Sequence, residues 1–362
     1  MIDLRYGEVE EELQTSVREM LADRSPVSKV LAGCEGGAAF DADLWRVLAT
    51  GMGLAGLTVP ERYGGGGAGL REAAVVAEEL GRAVAPVPYL GSAVVAAAVL
   101  AAAGDEELLT AVAAGNATAA LAVPFATAPG PFTPAFSADG QAVSGTVQGV
   151  VDALGAHTLL VPADAGLYAV PADAPGVGRH PVVSLDLTRP ACDLTLQRAE
   201  GRLLAAGDAG RQAAEAGLLA GAAVLASEQL GVAQWCLDTT VAHLKQRYQF
   251  GRPVGSFQAL KHRLADLWVE IAQARAAARY AAGCAAAGDP DLPVAVALAQ
   301  ATCSPVAVRA AEECVQLHGG IGFTWEHPAH LFLKRAKSDA IGFGTPDRHR
   351  AALAQLVDLP VA

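Results

Sequence analysis

The chain has 362 residues, of which 52% are hydrophobic and only 5% aromatic. This length is enough for two or three domains with sizeable cores. A core of Ala, Val and Leu suits close-packed helices better than a β-sandwich. The net charge of −12 argues against nucleic acid as a partner, because nucleic-acid-binding surfaces are basic.

The sequence lacks the usual signals for a membrane span, for secretion and for a metal centre. The longest apolar run, residues 93–103, is shorter than the ~20 residues that cross a bilayer. Residues 1–5 have neither the basic nor the apolar region of a signal peptide. The six cysteines form no CxxC pair and no Cys/His cluster with zinc spacing. We therefore expect a soluble cytoplasmic protein without a metal site, which binds neither membranes nor nucleic acids.

The first segment has helical periodicity. The apolar side chains of residues 44–52 fall on one stripe at helix spacing. A run of Pro and Gly at residues 59–67 then interrupts the pattern, and Gly81 is placed to end the next helix. We predict an N-terminal helical domain over residues 1–117.

The second segment consists of short apolar runs separated by turns rich in Pro and Gly. Examples are residues 119–123, 143–151 and 157–161. These runs never alternate with long helices, which argues against a Rossmann unit. The spacing predicts a small antiparallel β-barrel or sandwich over residues 118–202.

The third segment returns to helical periodicity and keeps it. Two long helices are separated by a turn at residues 251–253, and further helices are expected at 289–315, 328–339 and 348–357. We predict a C-terminal four-helix bundle over residues 203–362. The fold class is therefore α+β and mostly α, with helical domains on both sides of a small antiparallel sheet.

A first motif lies at the turn between the two long helices, where residues 247–266 read RYQFGRPVGSFQALKHRLAD. The guanidinium of Arg247 is a planar donor fork that suits a pyrophosphate. Phe257 and Gln258 open the next helix, whose first N–H groups are also placed to bind an anion. The alternative interpretation is an ordinary charged corner between two helices.

A second motif, Gln316 to Phe323, reads QLHGGIGF. A Gln amide can bind an adenine or ribose edge, and the glycine pair lets a ligand approach the backbone. The motif is followed by a basic helix at residues 334–337. We interpret His318 and His327 as structural or cofactor-packing residues, not as metal ligands or acid–base groups.

The two motifs, with VPERYGGGGAGL at residues 59–70, resemble signatures of the acyl-CoA dehydrogenase family of flavoproteins. The resemblance implies FAD as cofactor and α,β-dehydrogenation of an acyl-CoA thioester. In the family a carboxylate removes the α-proton while the flavin accepts a hydride. The resemblance assigns a set of residues to the ADP half of FAD: Arg247, Phe250, Phe257, Gln258, Gln316, Leu317, His318, Gly319 and Gly320.

The resemblance fails where the family places its catalytic base. Most members carry a glutamate in a Tyr-Glu-Gly-Thr stretch, and here the residue is Phe343. Other members carry the base on an earlier helix, and that position is Gly221. The loop that cradles the flavin ring in the family corresponds to residues 124–131, which offer few donors. A Gln expected two residues after Thr345 is replaced by Asp347.

The missing residues all belong to one side of a shared site, because two subunits contribute to each flavin in homo-oligomeric relatives. This chain keeps what a subunit gives to its neighbour's flavin and lacks what it gives to its own. The leading hypothesis is therefore the non-catalytic subunit of a heteromeric, α2β2 acyl-CoA dehydrogenase with one FAD per pair of chains. The partner would supply the base, the flavin cradle and the acyl pocket, and electron-transfer flavoprotein or a similar acceptor would receive the electrons. Steroid-derived or polyketide-derived CoA esters are the first choice of substrate.

Two alternatives stay open. The chain could be a self-sufficient homo-oligomeric dehydrogenase that uses an unusual base. Glu228 and Asp339 are then the candidates, although such helix carboxylates are usually solvated. The second alternative is a flavin-free scaffold or acyl-CoA-binding paralogue.

Overall fold

The computed structural model describes residues 2–34 and 36–359. Helices occupy the two ends of the chain, and a small sheet lies between them, so the predicted fold class is confirmed. One large hydrophobic core runs through both helical parts, and a smaller one fills the sheet. The predicted domain boundaries at residues 117 and 202 remain predictions; the last strand of the sheet continues to Ala206.

The N-terminal part is a set of short helices. Its α-helices are α1 (Glu8–Arg24), α2 (Val27–Gly33), α3 (Ala42–Arg46), α4 (Leu70–Arg82), α5 (Ala97–Ala103) and α6 (Glu106–Ala113). Two π-helical segments, Val47–Gly51 and Tyr89–Ala96, continue into or out of these helices. The second segment is buried along its whole length, and its Val95 lies against Gly221.

The central part is a twisted, mainly antiparallel sheet. Its strands are β1 (Ala119–Leu121), β2 (Phe136–Asp139), β3 (Ala142–Val151), β4 (Thr158–Ala163), β5 (Gly166–Pro171), β6 (Val177–Pro181), β7 (Ala191–Glu200) and β8 (Arg202–Ala206). The strand order is β6-β7-β3-β2-β4-β5-β8, and β1 pairs with β4 in parallel. The connections that reach the helical core include the segment after β1 and the loop between β6 and β7.

The C-terminal part is a bundle around three long helices. Its elements are α7 (Gly207–Gln246), the short strands β9 (Tyr248–Gln249) and β10 (Arg252–Pro253), α8 (Gln258–Ala287), α9 (Leu292–His318), α10 (Ala329–Asp339) and α11 (Pro346–Leu356). Alanine and other small side chains on the facing sides of α7, α8 and α9 let the helices pack closely. The shorter α10 and α11 pack on α9 and complete the bundle.

Two stretches are long and apolar enough to cross a membrane by length and composition, Gly207–Gln246 and Leu292–Phe323. In the first, 89% of the most apolar window is buried inside the protein, and in the second 61% is buried. Core helices of soluble proteins have the same properties, so these stretches are weak indications of a span.

Candidate functional site

The structure brings the two sequence motifs to the same end of the bundle. Arg247 follows the last residue of α7, and Gly319 follows the last residue of α9. The two helix ends touch through their histidines, because the rings of His243 and His318 lie 4.4 Å apart between centroids. The residues predicted to bind the ADP half of FAD therefore lie at one end of the bundle.

The first motif forms a tight hairpin after α7. β9 and β10 pair, and the N–H of Val254 donates to the carbonyl of Arg247 at 2.8 Å. The two turn residues, Phe250 and Gly251, both have positive φ values, of 55° and 73°. That backbone fits a type I′ turn, which is unfavourable for a phenylalanine. The side chain of Phe250 is nonetheless 90% exposed, so the hairpin presents an aromatic ring to the outside.

The start of α8 lies beside this hairpin. Phe257 is the residue before the helix, and its ring packs edge-on against Phe250 at 6.1 Å. The guanidinium carbon of Arg252 lies 3.8 Å from the centre of the same Phe257 ring. Arg247 and Gln258 are both exposed. Two exposed arginines therefore flank the hairpin that leads to the N-terminus of a 30-residue helix, and all three are groups that bind phosphates in proteins.

The second motif forms a bare turn after α9. Gly319 has a φ of 66°, which only glycine adopts without strain. A β-carbon placed on Gly319 or Gly320 would have no atom within 4 Å, so the backbone here is open to a ligand. Gln316 is exposed and Leu317 is half-buried, at the end of the same helix.

His318 differs from the other predicted site residues because its side chain is only 2% exposed. Its Nδ1–H donates to the carbonyl of Cys314 at 2.7 Å, and its ring lies between those of His243 and His327. A contact between this side chain and a cofactor would need the surrounding rings to move. In this structure the side chain of His318 packs inside the protein, next to the turn that begins at Gly319.

The two family positions for the catalytic base meet in space. A β-carbon on Gly221 would lie 2.5 Å from Cζ of Phe343 and 2.7 Å from Cγ2 of Val95. Since real β-carbons do not come so close, the ring of Phe343 occupies the space that a side chain at 221 would need. Phe343 is itself buried, at 5% exposure.

The loop that would cradle a flavin ring packs against Phe343 instead. The N–H of Phe343 donates to the carbonyl of Phe125 at 2.7 Å, and the two rings meet edge to face at 5.5 Å. Nε2–H of His349 donates to the carbonyl of Phe343 at 2.9 Å. These bonds hold Phe343 at a φ of 53°, an unfavourable value for a residue with a bulky side chain.

A cavity of about 440 Å³ lies next to residues 128–131 of the same loop. It is lined mainly by apolar residues of the loop, α7, α9 and α11, together with Glu215, Arg348 and His349. Neither Gly221 nor Phe343 lines it. The position of the missing base is therefore separate from this cavity.

Behind Phe125 lies a buried network of five acidic and basic residues that could not be detected in the sequence. Nη2 of Arg189 donates to Glu228 at 2.6 Å, and its Nη1 donates to Asp339 at 2.6 Å. Arg335 donates to Asp186 at 2.7 Å and also to Glu228. The loop between β6 and β7 thus joins α7 and α10 through ion pairs in the protein interior.

This network corrects the expectation that Glu228 and Asp339 are solvated carboxylates. Glu228 is 3% exposed and Asp339 is 0% exposed. The pKa of Glu228 is lowered because two guanidinium groups outweigh the cost of burial. Burial and the neighbouring Glu228 charge raise the pKa of Asp339 to about 8. Both groups are closed off from solvent and bound to arginines, an unsuitable state for a base beside a thioester.

One sequence signal could have indicated part of the network. Arg335 and Asp339 are four residues apart on an otherwise amphipathic helix, so they share one face of it. Asp186 and Arg189 lie in an irregular loop with no periodicity, and nothing in the sequence links that loop to α7. Such pairing over 149 positions, as between Asp186 and Arg335, appears only in three dimensions.

The residues fit one half of an FAD molecule and not the other. The exposed Arg247, the bare Gly319–Gly320 backbone and the start of α8 suit a nucleotide diphosphate. The loop after β1 has no room for a flavin ring against residue 343, because it bonds directly to Phe343 there. The exposed groups at the end of the bundle suit a nucleotide, whereas the ring of Phe343 fills the space beside Gly221.

Comparison with known proteins identifies both helical parts. Residues 7–116 match the acyl-CoA dehydrogenase N-terminal domain, and residues 208–357 match the acyl-CoA dehydrogenase C-terminal domain. Acyl-CoA dehydrogenase IpdE2 of Mycobacterium tuberculosis is 36% identical over 329 residues, which cover 91% of each chain. Acyl-CoA dehydrogenase FadE34 of the same organism is 36% identical over 300 residues, covering 82% of this chain and 40% of that protein.

Solved structures give the same result. A variant of the Tcur3481–Tcur3483 steroid ACAD superposes with a TM-score of 0.85 at 33% identity, covering 97% of this chain and 98% of that one. The ChsE4–ChsE5 complex from Mycobacterium tuberculosis has a TM-score of 0.88 at 26% identity and covers 100% of both chains. The resemblance read from the motifs is confirmed: the chain belongs to the acyl-CoA dehydrogenase family, FAD-dependent oxidoreductases of lipid metabolism that act on acyl-CoA.

Proposed function

We propose that this chain is the non-catalytic subunit of a heteromeric, α2β2 acyl-CoA dehydrogenase. The chain binds the ADP half of an FAD whose flavin ring lies in the catalytic partner. The partner supplies the base, the cradle of the flavin ring and the acyl pocket. Electron-transfer flavoprotein or a similar acceptor then reoxidises the flavin.

The observation that carries this proposal is the contact between Gly221 and Phe343. Both positions that hold the base in the family lie against each other here, and a phenyl ring fills the space between them. The groups for the nucleotide remain exposed at the far end of the bundle. A chain that keeps one half of a shared site and fills the other half needs a partner to complete it.

The surface around the nucleotide groups also suits a protein partner. Large apolar side chains are exposed there or nearby on α8: Tyr248, Phe250, Trp268, Val269, Ile321, Phe323 and Trp325. Exposed apolar groups of this size and number mark protein interfaces more often than free surface. The two similar structures described above are named as a complex and as a two-component enzyme, which supports the same proposal.

The same relatives support a proposal for the substrate class. A steroid-derived or polyketide-derived CoA ester is bulkier than a linear acyl chain. A heteromer with one acyl pocket per pair of chains has room for such a group. One of the two similar structures is a steroid ACAD, which supports the steroid-derived ester.

The alternative of a self-sufficient enzyme has weaker support. It needs a base, and the two candidate carboxylates are bound to Arg189 and Arg335 inside the network. Moving either of them to a thioester would take one carboxyl partner away from a buried guanidinium, at a cost of several kcal/mol. The remaining alternative, a flavin-free scaffold, differs from the proposal in flavin content and is tested directly below.

The experiment is a measurement of FAD per chain. The protein is purified alone and after co-expression with an adjacent acyl-CoA-dehydrogenase-like gene, and flavin absorbance is compared with protein concentration. We expect little FAD in the protein alone and about one FAD for each pair of chains in the complex. One acyl-CoA-reducible FAD per chain in the protein alone would overturn the proposal. A complex without flavin would support the scaffold.

A further inference from the structure

Three imidazole rings form a stack between the two nucleotide turns. The ring of His318 lies 4.4 Å from that of His243 and 4.2 Å from that of His327. His243 is on the last turn of α7, next to Arg247, and His318 ends α9 beside Gly319. The stack is therefore the direct contact between the two motifs at this end of the bundle.

The hydrogen bonds fix which nitrogens carry protons. Nδ1 of His318 faces the carbonyl of Cys314, so this nitrogen is protonated and donates. Nδ1 of His327 faces the backbone N–H of Ala329 at 3.2 Å, so this nitrogen is unprotonated and accepts. Ala329 is the first residue of α10. His327 thereby caps the helix that follows the Gly319–Phe323 turn.

Protonation of His327 would break this arrangement in two ways. Its Nδ1 would lose the lone pair that accepts from Ala329. The new positive charge would also sit at the N-terminus of α10, where the helix dipole disfavours a cation. Lys334, which lies over the ring of Trp325, acts on the neighbouring His330, whose pKa is lowered by burial and by this cation.

We propose that His243, His318 and His327 are positioning residues that hold the two nucleotide turns together, and that protonation of His327 loosens the turn at residues 319–328. This inference rests on the proposed function only in assigning FAD to the turns. The contact among these three histidines, here called the joint, is a property of the folded chain and can be measured without flavin.

The direction of the pH effect follows from the groups that face the stack. Burial and the neighbouring histidines lower the pKa of His327 to about 4, and burial, His318 and Arg247 lower that of His243. His330, next to His327, also has a lowered pKa. Groups with lowered pKa stay neutral in the closed joint, so the joint is intact above the ordinary histidine pKa of about 6.5 and weakens as the pH falls from there towards 4.

His318 stabilises the joint when it is protonated, whereas His327 stabilises it when neutral, and the two effects change in different pH ranges. Its hydrogen bond and proximity to Cys314 raise its pKa against the effect of burial. The stability that it contributes is complete below about 6.5 and is lost only as the pH rises through the raised value. Between pH 6.5 and 4 its contribution is constant. Hydrogen bonds with Cys236 and His318 lower the pKa of the Cys314 thiol to about 5, so this thiol titrates in the same range. The comparison with a His327 variant therefore isolates the part of the loosening that is due to His327.

The test is hydrogen exchange of residues 319–328, measured by mass spectrometry between pH 5 and 7.5. Each pH is compared with the His327→Asn variant, whose amide oxygen can accept from Ala329 but cannot be protonated. Exchange in the wild type should rise on the order of tenfold relative to the variant between pH 7 and pH 5. The His327→Phe variant keeps a ring but has no hydrogen-bond acceptor. Its residues 319–328 should therefore exchange faster than those of His327→Asn at every pH.

Two results would overturn the joint: exchange that does not change with pH relative to the variant, or equal exchange in all three proteins. FAD retention in the mixed complex is measured over the same pH series. If exchange responds to pH while flavin occupancy does not, the joint stands and the assignment of FAD to these turns fails. If both respond and His327→Asn suppresses both, the positioning role is established.

Discussion

Gly221 and Phe343 fit one another: the phenyl ring of residue 343 occupies the space in which residue 221 would carry a side chain. These two positions are the alternative places for the base in the acyl-CoA dehydrogenase family. In this chain the glycine at 221 and the phenylalanine at 343 depend on each other. A side chain at 221 would collide with Phe343, and a smaller residue at 343 would leave a cavity beside Gly221. The base is therefore not simply missing, because its site has been repacked as part of the core.

The first prediction concerns this pair. Gly221→Ala should lower the free energy of unfolding by about 1–3 kcal/mol, because the methyl group is forced into Phe343 and Val95. Phe343→Ala should cost about 3–5 kcal/mol through the cavity that it leaves. The double variant should lose less than the sum by about 1 kcal/mol, since the new methyl group partly fills that cavity. Chemical denaturation of the four proteins gives the coupling energy.

Gly33→Ala is the matched control for the glycine substitution. Gly33 is also helical, but a β-carbon there would meet no atom within 4 Å. The control should be neutral or stabilising by up to about 1 kcal/mol, as helix propensity alone predicts. Additive energies for Gly221→Ala and Phe343→Ala would show that the two residues do not share a space in solution.

The second prediction concerns Arg247. In the mixed complex, Arg247→Ala should weaken FAD binding by about 10- to 100-fold, the effect of removing a charged hydrogen-bond donor worth about 1.5–3 kcal/mol. Arg247→Lys should recover only part of the loss, because an ammonium group cannot make the two parallel bonds of a guanidinium. FAD retained after dilution and gel filtration is the measurement, and Gln316→Ala should act in the same direction.

Arg211→Ala is the control for charge. Arg211 lies near the start of the same helix, about 50 Å from Arg247, and pairs only with the exposed Asp208. This variant should leave FAD retention unchanged. Equal retention in the Arg247→Ala and Arg211→Ala complexes, with wild-type rates, would remove Arg247 from the nucleotide site.

Much of the fold could be predicted from local patterns in the sequence. The alternation of short apolar runs and turns marks the strands, and the 3.6-residue period marks α7 to α9, because both reflect which face of an element is buried. The hairpin after α7 was marked by its glycine and proline. These features depend on neighbours within a few residues.

The contents of the interior could not be predicted in the same way. The ring of Phe343 fills the space beside Gly221, which is 122 positions earlier in the chain. The partners of Arg189 come from α7 and α10, and the loop that carries this arginine has no periodicity. Sequence alone therefore indicated that Glu228 and Asp339 were ordinary helix carboxylates. Only the packing shows that they are buried and why they are unsuitable as bases.

The third prediction concerns the buried charges. Arg335→Met should lower the free energy of unfolding by about 3–5 kcal/mol, because it leaves Asp186 and Glu228 with less compensating charge in the interior. Lys337→Met on the same helix removes an exposed pair with Glu312 and should cost no more than about 0.5 kcal/mol. Urea denaturation measures both. Similar values for the two variants would mean that the network is open to water.

The fourth prediction is the pH dependence that Asp339 imposes. Its pKa is raised to about 8 in the folded protein, so the unfolded carboxyl group, with an ordinary value of 3.8, ionises first as the pH rises. The free energy of unfolding should therefore fall between about pH 4 and pH 8, by at most about 1.4 kcal/mol per pH unit. Asp339→Asn does not titrate and should flatten this slope. Parallel stability profiles of the two proteins from pH 6 to 9 would contradict the assignment.

The last prediction separates a missing base from a missing site. Phe343→Glu restores the carboxylate of the common family position, but the chain alone should show no reduction of flavin by an acyl-CoA. The loop after β1 would still bond to residue 343 through Phe125, where the flavin ring would have to lie. The new carboxylate would also be buried beside an aromatic ring without a partner, at a cost of about 3 kcal/mol or more.

Phe343→Gln is the control for that cost, since it has the same size and a buried polar group but no base. Both variants are mixed with FAD and an acyl-CoA without oxygen, and bleaching of the flavin absorbance is followed. No bleaching in either variant is expected, because a base without a flavin beside it has no hydride acceptor. Bleaching by Phe343→Glu and not by Phe343→Gln would show that the loop opens to hold a flavin, and that the chain is one substitution away from a complete active site.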